Sequence, residues 1–128
     1  MKLKWCGQRL HVLDDAGQTR LSFAERGSSC SLVIQVFGSI DLETETYFID
    51  ELQAASTTPK EIWIDLTQTE AISARAQHAI WGIWLARQRM GGPKLRLTGL
   101  SEQIWIQCKT GECLLMLLDS SEPGRESQ

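Results

Sequence analysis

The chain has 128 residues, of which 42% are hydrophobic and 23% charged, and this composition is typical of one globular domain with its own core. Thirteen Lys and Arg against sixteen Asp and Glu give a net charge of −3, which argues against nucleic-acid or membrane-surface binding, because both depend on clustered positive charge. No apolar run is long enough to cross a membrane, and residues 1–10 lack the apolar segment of a secretory signal, so we expect no membrane insertion and a cytoplasmic location.

The N-terminal half alternates strand and turn signals. Period-two patterns predict short strands over residues 9–13 and 19–25. Residues 32–37 form a nearly continuous apolar run, which is typical of a strand covered on both faces. A helix is then predicted from Thr44, a good N-cap residue, to about Ser56, because apolar residues recur there at helical spacing.

A second buried strand is predicted over residues 61–66, and a long helix follows it. This helix, over residues 73–90, has the strongest periodicity in the chain. Its predicted core-facing residues are Ala76, Ala79, Ile80, Ile83, Ala86 and Met90.

The C-terminal part predicts a strand over 94–98, a short helix from Ser101 to about Lys109, and a last strand over 113–118. From residue 31 onward, strands alternate with helices. This order is typical of an α/β fold with parallel strands joined by helical crossovers.

Motifs for chemistry are missing from the sequence. The cysteines (Cys6, Cys30, Cys108 and Cys113) form no C-x-x-C, and His11 lies far from His78, so we predict reduced thiols and no metal. No glycine-rich phosphate loop occurs, and no nucleophile is marked with its base. We therefore predict that the protein is not an enzyme and needs no cofactor.

A succession of short motifs resembles the STAS domain, the sulphate transporter and anti-sigma factor antagonist family. The motifs are Val36–Leu42 (VFGSIDL), Ile62–Thr67 (IWIDLT), Gly91-Gly92, Leu95–Ser101 (LRLTGLS) and Thr110-Gly111. The resemblance implies an α/β fold with a mixed, mostly parallel sheet, three to four helices and added N-terminal strands. It divides the chain into an N-terminal extension with an extra strand (1–18), a STAS-like domain (19–119) and a polar, disordered tail (120–128).

The resemblance also locates a regulatory position. Family members carry Asp-Ser-Ser-Gly at the start of a helix, and the second serine is phosphorylated. Here Ser73, Ala74, Arg75 and Ala76 stand at the matching positions. Arg75 therefore replaces the phosphoacceptor with a fixed positive charge, and Ser73, a predicted helix N-cap, is an alternative acceptor.

A second stripe on the long helix predicts an interaction surface. Ala74, His78, Trp81 and Leu85 recur at helical spacing, roughly opposite the predicted core stripe. A helix on a sheet needs one apolar face, and tryptophan is enriched among interface hot spots. Together with Ser73 and Arg75, this stripe is the predicted partner-binding surface; the family binds partners through the same helix.

The resemblance therefore implies a bacterial protein-interaction module in signalling and transcription regulation, similar to an anti-sigma factor antagonist. The implied partner is a GHKL-type anti-sigma kinase. Two alternatives stay open: an adaptor that docks on the ATPase of a lipid-transport ABC complex, and a sensor domain for a small ligand or nucleotide. The sequence also leaves open a homodimer.

Overall fold

The computed structural model describes residues 1–108, and its six strands form one sheet in chain order, β1-β2-β3-β4-β5-β6. The elements are β1 (Lys2–Cys6), β2 (Arg9–Leu13), β3 (Thr19–Gly27), β4 (Ser31–Ile40), α1 (Glu45–Ala55), β5 (Glu61–Ile72), α2 (Ala74–Met90), β6 (Leu95–Leu100) and α3 (Glu102–Cys108). The predicted last strand (113–118) and tail (120–128) lie outside the described residues.

The sheet is mixed, as predicted. β4 pairs with β5 and β5 with β6 in parallel, which confirms the prediction for the chain after residue 31. The three pairs among β1 to β4 are antiparallel, so the parallel share of the described sheet is smaller than predicted. The division follows the connections, because short turns join antiparallel strands while parallel neighbours need a crossover.

The three helices share one core with a single face of the sheet. The buried cluster takes Phe48 and Leu52 from α1, Ile80 from α2 and Ile104 from α3. Apolar residues of β2 to β6 complete it, among them Leu10, Val12, Leu21, Phe23, Ile34, Val36, Ile62, Ile64, Leu95 and Leu97. This burial fixes the position of each helix end relative to the strands.

The ends of α2 and α3 follow their sequence signals. The Ser73 hydroxyl accepts a hydrogen bond from the Ala76 amide at 3.2 Å, which confirms Ser73 as the N-cap of α2. The helix ends at Gly91, which is left-handed with φ of 65°. Ser101 caps α3 in the same way, accepting from the Ile104 amide at 3.2 Å.

The predicted core stripe of α2 is wrong toward its C-terminal end. Ala86 and Met90 are exposed, and Arg87 is buried instead. The Arg87 guanidinium donates four hydrogen bonds of 2.8–2.9 Å to backbone carbonyl oxygens, those of Ser56, Thr58, Lys60 and Pro93. These bonds compensate its burial and tie α2 to the loop between α1 and β5.

The N-terminal strands continue the sheet directly. β1 lies beside β2, in the register that pairs Leu3 with Val12 and Trp5 with Leu10. β1 was not among the strands predicted from the sequence, and the predicted domain boundary after residue 18 stays a prediction. None of the helices described for residues 1–108 is long and apolar enough to span a membrane.

Candidate functional site

The candidate site lies where β4 and β5 end and α1 and α2 begin. Ile40 and Ile72 are register partners at the last positions of the two parallel strands. A short turn then leads from Ile40 into α1, and Ser73 leads from Ile72 into α2. In open sheets with parallel strands, the carboxyl end of the strands is the usual place for binding.

The turn before α1 is fixed by Asp41. Its Oδ1 accepts hydrogen bonds from the amides of Glu43 (2.9 Å) and Thr44 (3.1 Å). Burial raises the pKa of Asp41, but these bonds, the Thr44 hydroxyl and the Arg20 guanidinium outweigh it, so the pKa lies below its ordinary value. Asp41 is therefore a charged anchor at neutral pH.

Thr44 occupies the predicted N-cap position, but its hydroxyl does not cap the helix. Thr44 Oγ1 donates to the Ser39 carbonyl oxygen at 2.7 Å and accepts from the Asp41 amide at 2.9 Å. Thr44 already has helical backbone angles, unlike the extended backbone of a usual N-cap residue, and its hydroxyl therefore bonds within the turn that precedes the helix. At the start of α1, the Glu45 amide donates instead to the backbone carbonyl oxygen of Asp41 at 2.8 Å.

Arg20, on β3, joins the turn to the neighbouring strand. Its Nη2 lies 3.1 Å from Asp41 Oδ2 and 3.7 Å from Glu43 Oε1. All three side chains are partly exposed, so solvent screens the pairs and each contributes little stability. They hold the turn in place on the sheet.

Arg75 connects the two helix N-termini. Its Nη1 donates to Glu45 Oε2 at 3.0 Å; the Arg75 side chain is 68% exposed and that of Glu45 only 5%. The second carboxylate oxygen, Glu45 Oε1, is buried without a hydrogen-bond partner. The positive charge of Arg75 is therefore compensated by the buried carboxylate of Glu45. The helix dipole also favours this negative charge, because Glu45 lies at the N-terminus of α1.

The predicted surface residues of α2 divide into two groups. Ala74, Arg75 and His78 are exposed, and Ser73 at the N-cap is partly buried. Trp81 and Leu85 are partly buried as well. The first turns of the helix thus form an open surface, while the predicted stripe turns toward the protein further along.

Trp81 is held by a neighbouring ring. Its ring stacks on that of Trp84 with the centroids 4.8 Å apart and the planes 20° apart. Both rings pack against the hydrophobic core. Trp81 therefore has a packing role beside any role at a surface, and its replacement would disturb both.

Sequence reasoning missed the two carboxylates that organise the site. Asp41 entered only as part of a motif, and Glu45 was not singled out, although an acidic residue in the first turn of a helix is a recognised signal. Pairing with Arg75, thirty residues away, is set by the fold and has no local signature. Among residues 1–108, no group of three or more His, Cys, Asp or Glu side chains is arranged to hold a metal ion.

Comparison with known proteins finds likeness in structure alone. No protein-family model matches the sequence, and no curated protein matches it either. The fold is similar to that of the anti-sigma factor antagonist SpoIIAA in its unphosphorylated form, with a TM-score of 0.60, 13% identity, and coverage of 76% of this chain and 85% of that one. It is equally similar to an anti-sigma factor antagonist from Mycobacterium paratuberculosis, with a TM-score of 0.60, 17% identity, and coverage of 79% and 86%.

The chain therefore has the STAS fold of the anti-sigma factor antagonists, as its sequence motifs predicted. Identities this low establish the shared fold and leave the activity to be argued from the site.

Proposed function

We propose that this protein is a non-enzymatic regulatory STAS domain that binds a partner protein through the start of α2. The observation that carries the proposal is the open surface at the carboxyl ends of β4 and β5, where Ala74, Arg75 and His78 are exposed above a turn fixed by Asp41. The whole predicted surface comprises Ser73, Ala74, Arg75, His78, Trp81 and Leu85. The fold shared with anti-sigma factor antagonists supports a regulatory role.

The proposed partner is a GHKL-type anti-sigma kinase, and an ABC ATPase is the alternative. In either complex Arg75 presents a charge that phosphorylation cannot change. Because Glu45 compensates that charge from within the domain, the partner meets an ion pair rather than a lone cation. We therefore expect binding that is constitutive at this position.

Affinity purification tests the surface. The tagged chain and its His78→Glu variant are used to capture proteins from the native cell extract, followed by mass spectrometry. We expect a GHKL-type kinase or an ABC ATPase with the unmodified chain and its loss with His78→Glu. The matched control is Gln53→Glu, an equal change of charge at an exposed position in the last turn of α1. Equal recovery with both variants would contradict the surface.

Phosphate transfer tests the regulatory position separately. With the captured kinase and ATP, we expect no phosphate on residue 75 of the unmodified chain, and transfer to that residue in Arg75→Ser. Ser73→Ala shows whether Ser73 is an alternative acceptor, since phosphate lost with this variant would belong to Ser73. The Ser73 hydroxyl is engaged as a helix cap, which argues for slow transfer there.

A further inference from the structure

Large apolar side chains are exposed at several places outside the six residues of the proposed partner surface: in the turn before α1, on β1, at Met90, and at Trp105 and Ile106 of α3. Leu42, in the turn before α1, is the most exposed large apolar side chain among the described residues, at 87%. On β1, Trp5 is 62% exposed and Leu3 54%. Apolar side chains that are exposed close together on a surface mark interaction sites more often than isolated ones do.

Leu42 is presented by a rigid turn. The Asp41 carboxylate accepts hydrogen bonds from the amides of Glu43 and Thr44, which follow Leu42 in the chain. The Thr44 hydroxyl donates a further hydrogen bond to the Ser39 carbonyl oxygen, which precedes Leu42. Because the backbone around Leu42 is already ordered, docking of this side chain costs little further conformational entropy. Leu42 is therefore a pre-organised apolar projection.

Leu3 and Trp5 extend the core to the edge of the described sheet. Their register partners on β2, Val12 and Leu10, are buried. Directly opposed residues of an antiparallel pair share a face, so Leu3 and Trp5 lie on the core-facing side of the sheet. β1 is the terminal strand of the order β1 to β6. Within residues 1–108, no further strand pairs with β1, and this end of the core face is apolar and exposed.

The two features carry opposite charge. Residues 1–13 contain three basic residues and no acidic one. Around Leu42, the carboxylates of Asp41 and Glu43 share one cation, Arg20, so one negative charge is left in excess. Next to Leu42, Glu43 is 66% exposed, and next to Leu3 and Trp5 the side chains of Lys2 and Lys4 are exposed. An acidic apolar projection and a basic apolar edge are complementary in both properties.

We propose that copies of this chain associate head to tail, with Leu42 of one copy docked against Leu3 and Trp5 of the next. Glu43 then lies near the lysines of β1. A symmetric contact between two β1 strands is disfavoured, because it would bring the lysines of both copies together. Leu42, Leu3 and Trp5 are not among the six residues of the proposed partner surface, although the turn that carries Leu42 adjoins the start of α2.

A contact of this kind joins two different surfaces, so it extends into a ring or filament unless the rotation closes early. It is also small, which predicts weak association that grows with protein concentration. Salt weakens it, because the charges involved are exposed and are screened.

Sedimentation velocity over a wide concentration range tests the proposal. We expect species larger than a monomer at high concentration and their loss in Trp5→Ser and in Leu42→Ser. Met90→Ser is the control, since Met90 is 84% exposed at the far end of α2, and we expect it to associate like the unmodified chain. Circular dichroism verifies that each variant is folded.

Mixing the two variants is the sharper test. Trp5→Ser retains the projection and Leu42→Ser retains the edge, so an equimolar mixture should form a 1:1 dimer that grows no further. A monomer at every concentration, or a mixture that stays monomeric, would overturn the proposal. Loss of association with Trp5→Ser but not with Leu42→Ser would overturn it in favour of a symmetric contact through β1.

Discussion

At Gly38 the backbone of β4 adopts φ of 106°, a conformation that favours glycine. A Cβ atom added there would lie 2.5 Å from the carbonyl oxygen of Arg20 on β3. This close approach accompanies the register shifts in the pairing of β4 with β5, just before the turn that carries Asp41.

We predict that Gly38→Ala lowers the free energy of unfolding by about 3 kcal/mol, because both the backbone strain and the contact must be relieved. The control is Gly82→Ala, in the middle of α2, where an added Cβ meets open space. That variant should gain roughly 0.5–1 kcal/mol from helix propensity. Urea unfolding measures both, and equal effects would contradict this account.

Glu51, on α1, is a second residue with a particular environment. Its pKa is raised from 4.5 to about 7, first by burial and then by a hydrogen bond and charge repulsion from Glu25 on β3. The native state therefore holds a proton that the unfolded chain releases above pH 4.5. The associated stability is fully present below pH 4.5 and is lost as the pH rises toward 7.

We predict that Glu51→Gln raises the free energy of unfolding at pH 8 by on the order of 1 kcal/mol, since solvent screening reduces the effect of the partly exposed carboxylate. At pH 4.5 we expect little change in the free energy of unfolding. Thermal unfolding at the two pH values measures the difference. Asp50→Asn, at the exposed neighbouring position of α1, is the control for the loss of one carboxylate from this helix. A Glu51→Gln effect that is the same at both pH values would disprove the raised pKa.

At the scale of elements, α1 and α2 are joined at their N-termini by the Glu45–Arg75 pair. Removing Arg75 takes the hydrogen-bond partner from Glu45 Oε2, and because Glu45 Oε1 already has none, both oxygens of a buried carboxylate are then unpaired. We predict a coupling of about 1 kcal/mol in a double-mutant cycle of Arg75→Ala and Glu45→Gln, since one partner is exposed and the other buried. Arg89→Ala, at an exposed position near the other end of α2, should show no coupling with Glu45→Gln.

The C-terminal end of α2 is held by Arg87 in a different way. The Arg87 guanidinium donates hydrogen bonds to four carbonyl oxygens. A lysine ammonium has only three donors and lacks the planar geometry of the guanidinium. We predict that Arg87→Lys destabilises the domain by about 2 kcal/mol, and that Arg87→Met costs more because the carbonyls lose every donor. Arg89→Lys, at an exposed position, is the matched control. Chemical unfolding that does not distinguish the two sites would contradict a structural role for Arg87.

For the whole molecule, the pattern of apolar residues was enough to predict most elements. The strand over 9–13 and the Ser73 cap depend on local sequence signals, and the parallel pairs after residue 31 follow from the alternation of strands with helical crossovers. β1 was missed because residues 2–5 alternate lysine with only two large apolar residues, Leu3 and Trp5, which is a short period-two pattern.

The site was less accessible to sequence reasoning. Arg87 interrupts an apolar stripe, and a charge in such a position is normally expected to face solvent. Its burial depends mainly on carbonyl oxygens of the loop between α1 and β5, 27 to 31 residues earlier, as the pairing of Arg75 depends on a helix thirty residues earlier. Contacts of this kind are made by the tertiary fold and leave no periodic trace.

The central claim is that the exposed start of α2 contacts a regulatory partner, and site-specific photo-crosslinking tests it most directly. A photoreactive amino acid replaces His78 in one chain and Gln53 in a control chain, both exposed, and the cells that contain the protein are irradiated. We predict that the residue at position 78 forms an adduct with one protein, identified by mass spectrometry as a kinase or an ATPase, and that position 53 does not. Adducts that are the same at both positions, or none at position 78, would contradict the account.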